Sequence, residues 1–237
     1  MDWQNRERLL IGDEKVARLR KATVAVLGLG GVGGACAEGL CRAGIGSLIL
    51  VDSDRVDITN LNRQLIATRN VVGRLKTDVC RERLESISDF CQVTPLPMFY
   101  GADTAERLFA LNPDYVVDCI DTVTAKLHLA VACRERGIPL LMCLGTGNRL
   151  DPTAFTIGDI SETAGVGGCG LARAMRRELK KRGITKQKVL YSKELPQKAA
   201  VPGRESGRSA PGSISFCPPV AGFILAGQAA RDLMGEK

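Results

Sequence analysis

A chain of 237 residues, 45% hydrophobic and 25% charged, is long enough for one α/β core and short for two full domains. Its opening "MDWQNRERLLIGDEK" mixes both charge signs without an apolar run, which excludes a secretory signal, and its most apolar stretch, "PVAGFILAGQAA", is broken by Gln228 and closed by Arg231, too short to cross a bilayer; a cytoplasmic protein with no membrane partner is expected. The net charge of +7 is compatible with a polyanionic partner, but basic proteins without one are common, so charge alone favours nucleic acid only weakly.

The segment "KATVAVLGLGGVGGACAEGLCRAGIGSLILVDSD" reads as a βαβ unit. A strand from Thr23 to Leu27 runs into glycines, a helix follows and ends at Gly44, and a second strand from Ser47 to Val51 finishes on Asp52. Next, "TDVCRERLESI" puts Cys80, Leu84 and Ile87 on one helical stripe, "DYVVDCID" reads as a buried strand, "TAKLHLAVACRERG" as a helix ending at Gly137, and "IPLLMCLGTG" as another strand. Five parallel strands with intervening helices are therefore predicted over about residues 20–147, an α/β, Rossmann-like, doubly wound and mostly parallel sheet.

A C-terminal strand and helix extension follows over about residues 148–237. It starts with a strand in "AFTIGDI" and a helix in "LARAMRRELKKRGI", with Leu171, Met175 and Leu179 on the apolar face and six basic residues (Arg173, Arg176, Arg177, Lys180, Lys181 and Arg182) against the single acid Glu178. A solvated helix face is the ordinary meaning of such a run; a contact with nucleic-acid phosphates is the other. "QKVLYS" adds a short strand, and "PQKAAVPGRESGRSAPGS" has the composition of a mobile loop, about residues 196–213. "SISFCPP" is read as an apolar strand holding a packed Cys217, and the chain closes on a buried helix. The whole of 1–237 is expected to be a single domain.

Nine cysteines, an odd number scattered through apolar segments, behave as small hydrophobes in a reducing compartment. No C-x-x-C pair occurs, which argues against a structural tetrathiolate zinc site.

Chemistry concentrates in the first half. "GLGGVG" matches the glycine fingerprint after a strand: Gly28 for the tight turn, Gly30 for approach of a phosphate or ribose, Gly33 for packing of helix on strand. Asp52, at the end of the second strand, is placed for ribose hydroxyls. A nicotinamide dehydrogenase would use these features, yet the lone histidine, His128, lies inside a helix and reads as a packed or surface residue. The loop "NLNRQL" instead offers Arg63 flanked by Asn60, Asn62 and Gln64, and Lys76 follows in "GRLKTD" at a helix start. Such groups suit a triphosphate better than a dinucleotide.

Taken in order, "GLGGVG", "VDSDRVDITNLNRQ", "GRLKTD" and "DCIDT" resemble the adenylation fold of the ubiquitin-activating-like enzymes, which include activators of molybdopterin and thiamine sulfur carriers, over about residues 4–150. Within that superfamily "GNRLDPTAFTIGDI", "LARAMRRELKKRGI" and "VLYSKE" resemble the tRNA threonylcarbamoyladenosine dehydratases, which use ATP to cyclise the threonylcarbamoyl group on an adenosine of the anticodon loop. The resemblance implies ATP and Mg2+ as cofactors, tRNA as substrate and a homodimer. It implies that Asp52 holds the ribose with Asp54 nearby, that Asn60, Arg63 and Gln64 contact phosphates above the glycines Gly28, Gly30, Gly31 and Gly33, and that Lys76 neutralises them. Asp121 would hold or orient the magnesium ion, and Arg6 would reach into the active site of the neighbouring subunit, which makes Arg63, Lys76, Asp121 and Arg6 the catalytic set. Asp118 is given a structural role.

The resemblance leaves open a cysteine-desulfurase or sulfur-acceptor partner. Two rivals stand beside it: a sulfur-carrier-protein adenylyltransferase, which shares the ATP site but in many cases holds a zinc ion, and a noncatalytic nucleotide-binding scaffold, which would leave Arg63, Lys76 and Asp121 idle. "TAGVGGCGLARAM" departs from the related sequences, and Cys169 in it is read as a loop cysteine, with a thioester nucleophile as the alternative.

Overall fold

Continuous apolar runs rich in valine, leucine and isoleucine form strands buried on both faces, the requirement of a parallel sheet covered by helices. In the computed structural model, which describes residues 3–198 and 211–236, the chain opens with helix α1 (Asn5–Lys21) and then alternates β1 (Thr23–Leu27), α2 (Gly31–Arg42), β2 (Ser47–Val51), α3 (Lys76–Glu85), β3 (Gln92–Leu96), α4 (Ala105–Phe109), β4 (Tyr115–Asp118), α5 (Val123–Arg136) and β5 (Leu140–Cys143). It continues through β6 (Phe155–Asp159), α6 (Gly170–Lys181) and β7 (Lys188–Ser192) to the C-terminal helix α7 (Cys217–Met234). Most of the loop expected over about 196–213 lies outside the described residues.

The seven strands make one sheet in the order β3-β2-β1-β4-β5-β7-β6. Five of them are the parallel strands expected before residue 147, with Val26 of β1 in register with Leu50 on one side and Val117 on the other. β3, which carries Pro95, occupies an edge, where a missing N–H costs least. β7 continues the sheet in parallel beside β5, and β6 alone runs antiparallel. The fold is thus α/β, Rossmann-like and doubly wound, extended at its C-terminal end by two further strands and two helices. Strand order reverses around β1 and β4, so a crevice opens where the loops after those strands diverge.

Helices cover both faces. Leu40, Cys80, Leu84, Leu225 and Ala229 bring α2, α3 and α7 onto one face, while Leu108, Phe109 and Leu129 of α4 and α5 fill the other, continued by Met175 and Leu179 of α6. The C-terminal helix is buried, as its apolar composition predicts, and lies so close to α2 that a Cβ on Gly222 would stand 2.2 Å from the Val32 carbonyl oxygen. Cys217 corrects one expectation. It opens α7 instead of ending a strand, because Pro218 and Pro219 favour the first turn of a helix; it is packed as expected, with its thiol donating to the Arg149 carbonyl oxygen at 3.3 Å.

Candidate active site

The crevice at the carboxyl ends of β1, β2 and β4 is a cleft of about 360 Å3. Its floor is the turn after β1. Gly28 has φ +84°, and a Cβ there would meet the Cys119 carbonyl oxygen at 2.7 Å; a Cβ on Gly33 would stand 1.7 Å from the Gly28 carbonyl oxygen. Only glycine at both positions lets α2 start directly under the cleft, with Gly28, Gly30 and Gly31 exposed to it and Gly33 packed beneath.

The end of β2 supplies Asp52. Its Oδ2 accepts the Leu29 N–H at 2.6 Å and its Oδ1 the Asp54 N–H at 2.7 Å, so the carboxylate fixes the glycine turn against the next loop while facing the cleft. Burial raises its affinity for a proton, against the opposing pull of Lys76.

The polar loop after β2 divides its labour. Asn60 is buried, and its Oδ1 accepts the Asp57 N–H at 3.1 Å in a reciprocal capping of the 3-10 turn Ile58–Asn60. Arg63 donates to the Thr59 carbonyl oxygen at 2.9 Å and to Asn62 Oδ1 at 2.8 Å, which holds its guanidinium at the cleft wall. Asn62 lies outside the lining and ties the loop to the Ser213 carbonyl oxygen. Gln64 is buried, and its Oε1 has no hydrogen-bond partner among the described residues. A buried amide oxygen left open beside a cleft is completed by water or by a ligand.

Lys76 is the first residue of α3, as its place in "GRLKTD" suggests, and is only 6% exposed. Its Nζ stands 2.8 Å from Oδ2 of the exposed Asp54. Asp121, exposed on the loop after β4, accepts one hydrogen bond from the Thr122 hydroxyl at 3.3 Å. Asp52, Asp54, Asn60, Arg63, Gln64, Lys76 and Asp121 therefore line one cleft. Arg6 does not: it is exposed in the first turn of α1 and does not line the cleft of its own chain.

Sequence reasoning missed two features. Met98, Phe99 and Tyr100, which follow β3, form a wall beside Asp52; an aromatic pair at the carboxyl end of a parallel strand was the available signal. Tyr100 is buried and its hydroxyl pairs with Nδ1 of His128 at 3.1 Å, which gives the single histidine an orienting partner. The second feature is Lys126, fully buried in α5 and 3.0 Å from Asp118 Oδ2.

The cysteines are all unpaired. Burial pushes the thiols of Cys80 and Cys133 up to about 12 and raises that of Cys217. Cys169 belongs to an ordered cap. Its Sγ accepts the Ala172 N–H at 3.4 Å at the start of α6, and the buried Arg149 donates to the Gly167 carbonyl oxygen at 2.6 Å just ahead of it.

The basic helix is partly neutralised. Arg177, Lys181 and Arg182 converge on Glu178 and hold its carboxyl at about 2, and Arg176 turns inward to the Thr163 hydroxyl at 2.8 Å. Arg173 and Lys180 are exposed.

The ThiF family model matches residues 4–236. The chain is 42% identical over 98% of its length to a protein of Bacillus subtilis named tRNA threonylcarbamoyladenosine dehydratase, and covers 94% of that relative. The structure of the Escherichia coli tRNA N6-threonylcarbamoyladenosine dehydratase TcdA in complex with ATP superposes with a TM-score of 0.88 at 30% identity, covering 98% of this chain and 95% of that one, and its complex with AMP gives 0.87. The molybdopterin-synthase adenylyltransferase of Escherichia coli is 33% identical over 60% of this chain and 56% of its own.

Proposed function

The chain belongs to the ThiF family, and on that premise we propose that it is an ATP-dependent tRNA threonylcarbamoyladenosine dehydratase, acting through adenylation of the substrate carboxylate. The observation that carries this reading is the gathering of Arg63, Lys76 and Asp121 around the glycine turn of one cleft, in a chain similar over nearly its whole length to proteins of that name. A carboxylate is a poor electrophile. Its oxygen attacks the α-phosphorus of ATP, the bond to the β-phosphate bridging oxygen breaks, and pyrophosphate leaves. The acyl-adenylate is then attacked at its carbonyl carbon by the neighbouring carbamoyl nitrogen or oxygen, a proton is lost, the ring closes, and AMP departs with the oxygen that the carboxylate gives up. Because the nucleophile is already tethered, no protein nucleophile is required.

The barrier lies in bringing two anions together while charge grows on the leaving pyrophosphate. Arg63 and Lys76 meet that charge from the β2 side, with Asn60 and Gln64 donating amide N–H groups, and Asp52 holds the ribose beside Asp54. The donor set fits a magnesium ion carried by the nucleotide: Asp121 presents an exposed carboxylate to the cleft, and Mg2+ in phosphate sites takes one or two carboxylates plus phosphate oxygens. Asp121 would hold it, and it would neutralise phosphate charge. The working unit is a homodimer with Arg6 contributed across the interface and residues 1–237 acting as one adenylation domain in the cytoplasm.

The decisive measurement is AMP release with ATP, magnesium and either tRNA bearing threonylcarbamoyladenosine or a candidate sulfur-carrier protein. The modified tRNA is expected to drive it, and release driven by the carrier alone would move the chain to the adenylyltransferases. For the tRNA surface, α6 exposes Arg173, Arg177, Lys180 and Lys181, of which the first three are replaced, and Arg176 is excluded by its inward contact. Replacing those three with alanine is expected to weaken tRNA binding, flatten its salt dependence by up to about three units of slope, and leave ATP binding unchanged. An unaltered salt slope would return α6 to a solvated face.

A further inference from the structure

Lys126 and Asp118 form an ion pair with both side chains wholly removed from water, Nζ to Oδ2 at 3.0 Å. Replacing such a pair by apolar residues of similar volume is often neutral or stabilising, so its stability value does not explain it. Its hydrogen bonds do. Asp118 Oδ1 accepts the Ile120 N–H at 3.0 Å, and Lys126 Nζ donates to the Ile120 carbonyl oxygen at 2.9 Å. Both backbone groups of one residue are thus gripped from beneath by the two members of a buried pair. That residue is next to Asp121, and Cys119, Ile120, Asp121 and Thr122 all face the cleft. The side chain of Asp121 has little support of its own, being exposed with one long hydrogen bond to the adjacent Thr122. Its placement is therefore set by its backbone, and its backbone by the clamp.

We propose that Lys126, with Asp118, is a positioning residue that fixes the Asp121 carboxylate over the cleft; this rests on the catalytic reading of Asp121 given above. Lys126 touches no reacting group and acts through the Ile120 peptide alone. With Lys126 and Asp118 replaced, both Ile120 groups can turn to water, because Ile120 is only half-buried, and Asp121 is released with them.

The test uses Lys126→Met, the paired Asp118→Leu/Lys126→Met, Asp121→Ala, and the paired change combined with Asp121→Ala. AMP release and the ATP dissociation constant by calorimetry, both with magnesium, are the readouts, and the thermal midpoint is recorded for each protein. The paired variant is expected to keep a thermal midpoint close to that of the parent while losing turnover by roughly ten- to hundredfold, the range for removing a group that orients a ligand. In the Asp121→Ala background the same pair of changes should cost less than about twofold further in turnover and leave the dissociation constant where Asp121→Ala puts it. Should the paired variant fold poorly, Asp118→Val/Lys126→Leu supplies a second pair without hydrogen-bonding groups for the same comparison. Turnover that recovers with stability, or a loss repeated in full without Asp121, would overturn the clamp and leave the site reading standing. Normal turnover in Asp121→Ala would remove both.

Discussion

Lys76→Ala is expected to slow AMP formation at saturating ATP by roughly a hundredfold or more, the scale of losing one preorganised charge-stabilising group, while the protein stays folded. The side chain is buried at the start of α3 and faces the cleft beside Asp52. Its charge is met by Asp54 at 2.8 Å, and Asp54 is exposed. That asymmetry decides the stability effect. Asp54 can return its carboxylate to water when its partner is removed, so breaking this pair costs far less than breaking one closed to solvent. It also decides the activity effect, because an exposed carboxylate can yield the lysine to arriving phosphates with little reorganisation. The comparison protein is Asp54→Ala, which leaves Lys76 in place and should lose much less turnover than Lys76→Ala. A Lys76→Ala protein with near-normal AMP release and an unchanged thermal midpoint would take the residue out of the site.

The cleft was legible wherever chemistry and chain order coincide. A strand, a glycine run, a helix and an acid at the end of the next strand can fold in few ways, and Asp52 and Gly28 are where that pattern puts them. Lys76 was legible because a helix start both orients a basic side chain and supplies free N–H groups. Lys126 was not, although its signal exists: Lys126, Leu129, Ala130 and Cys133 occupy i, i+3, i+4 and i+7 on α5, and the other three are buried hydrophobes. A lysine on an apolar stripe needs a buried acceptor. Asp118 lies eight residues earlier on a strand, a contact that only the β4–α5 turn creates. Cys217 was misplaced for a related reason: the apolar Ile214, Phe216 and Cys217 stand just ahead of two prolines, and local composition favours a strand where packing against α2 imposes a helix. The inward turn of Arg176 is likewise invisible in a run of basic residues, since it depends on Thr163 from a different segment.

Arg6→Ala and Lys76→Ala proteins are each expected to be nearly inactive, and a mixture of them, denatured and refolded together in equal amounts, to recover about a quarter of the parent activity. Arg6 sits in a well-held segment. Trp3 stacks on Phe90 at 5.6 Å between ring centroids, Arg20 lies over the same ring at 4.5 Å, and Arg20 donates to the buried Gln4 at 2.8 Å. Two further side chains on that helix, Leu9 and Leu10, three and four residues on from Arg6, are 88% and 85% exposed. An arginine beside an apolar ridge left in water, away from its own cleft, is the arrangement expected of an arm that a partner subunit covers. Random refolding makes about half of the dimers mixed, and in a mixed dimer one site combines the intact Lys76 of one chain with the intact Arg6 of the other. Its second site carries both defects. Half of the dimers with one working site of two gives about a quarter, for independent sites. If Arg6 served its own chain, each site of a mixed dimer would hold one defect and none would be whole. With heterodimers verified by native mass spectrometry, a mixture that stays inactive would therefore place Arg6 outside the partner's cleft.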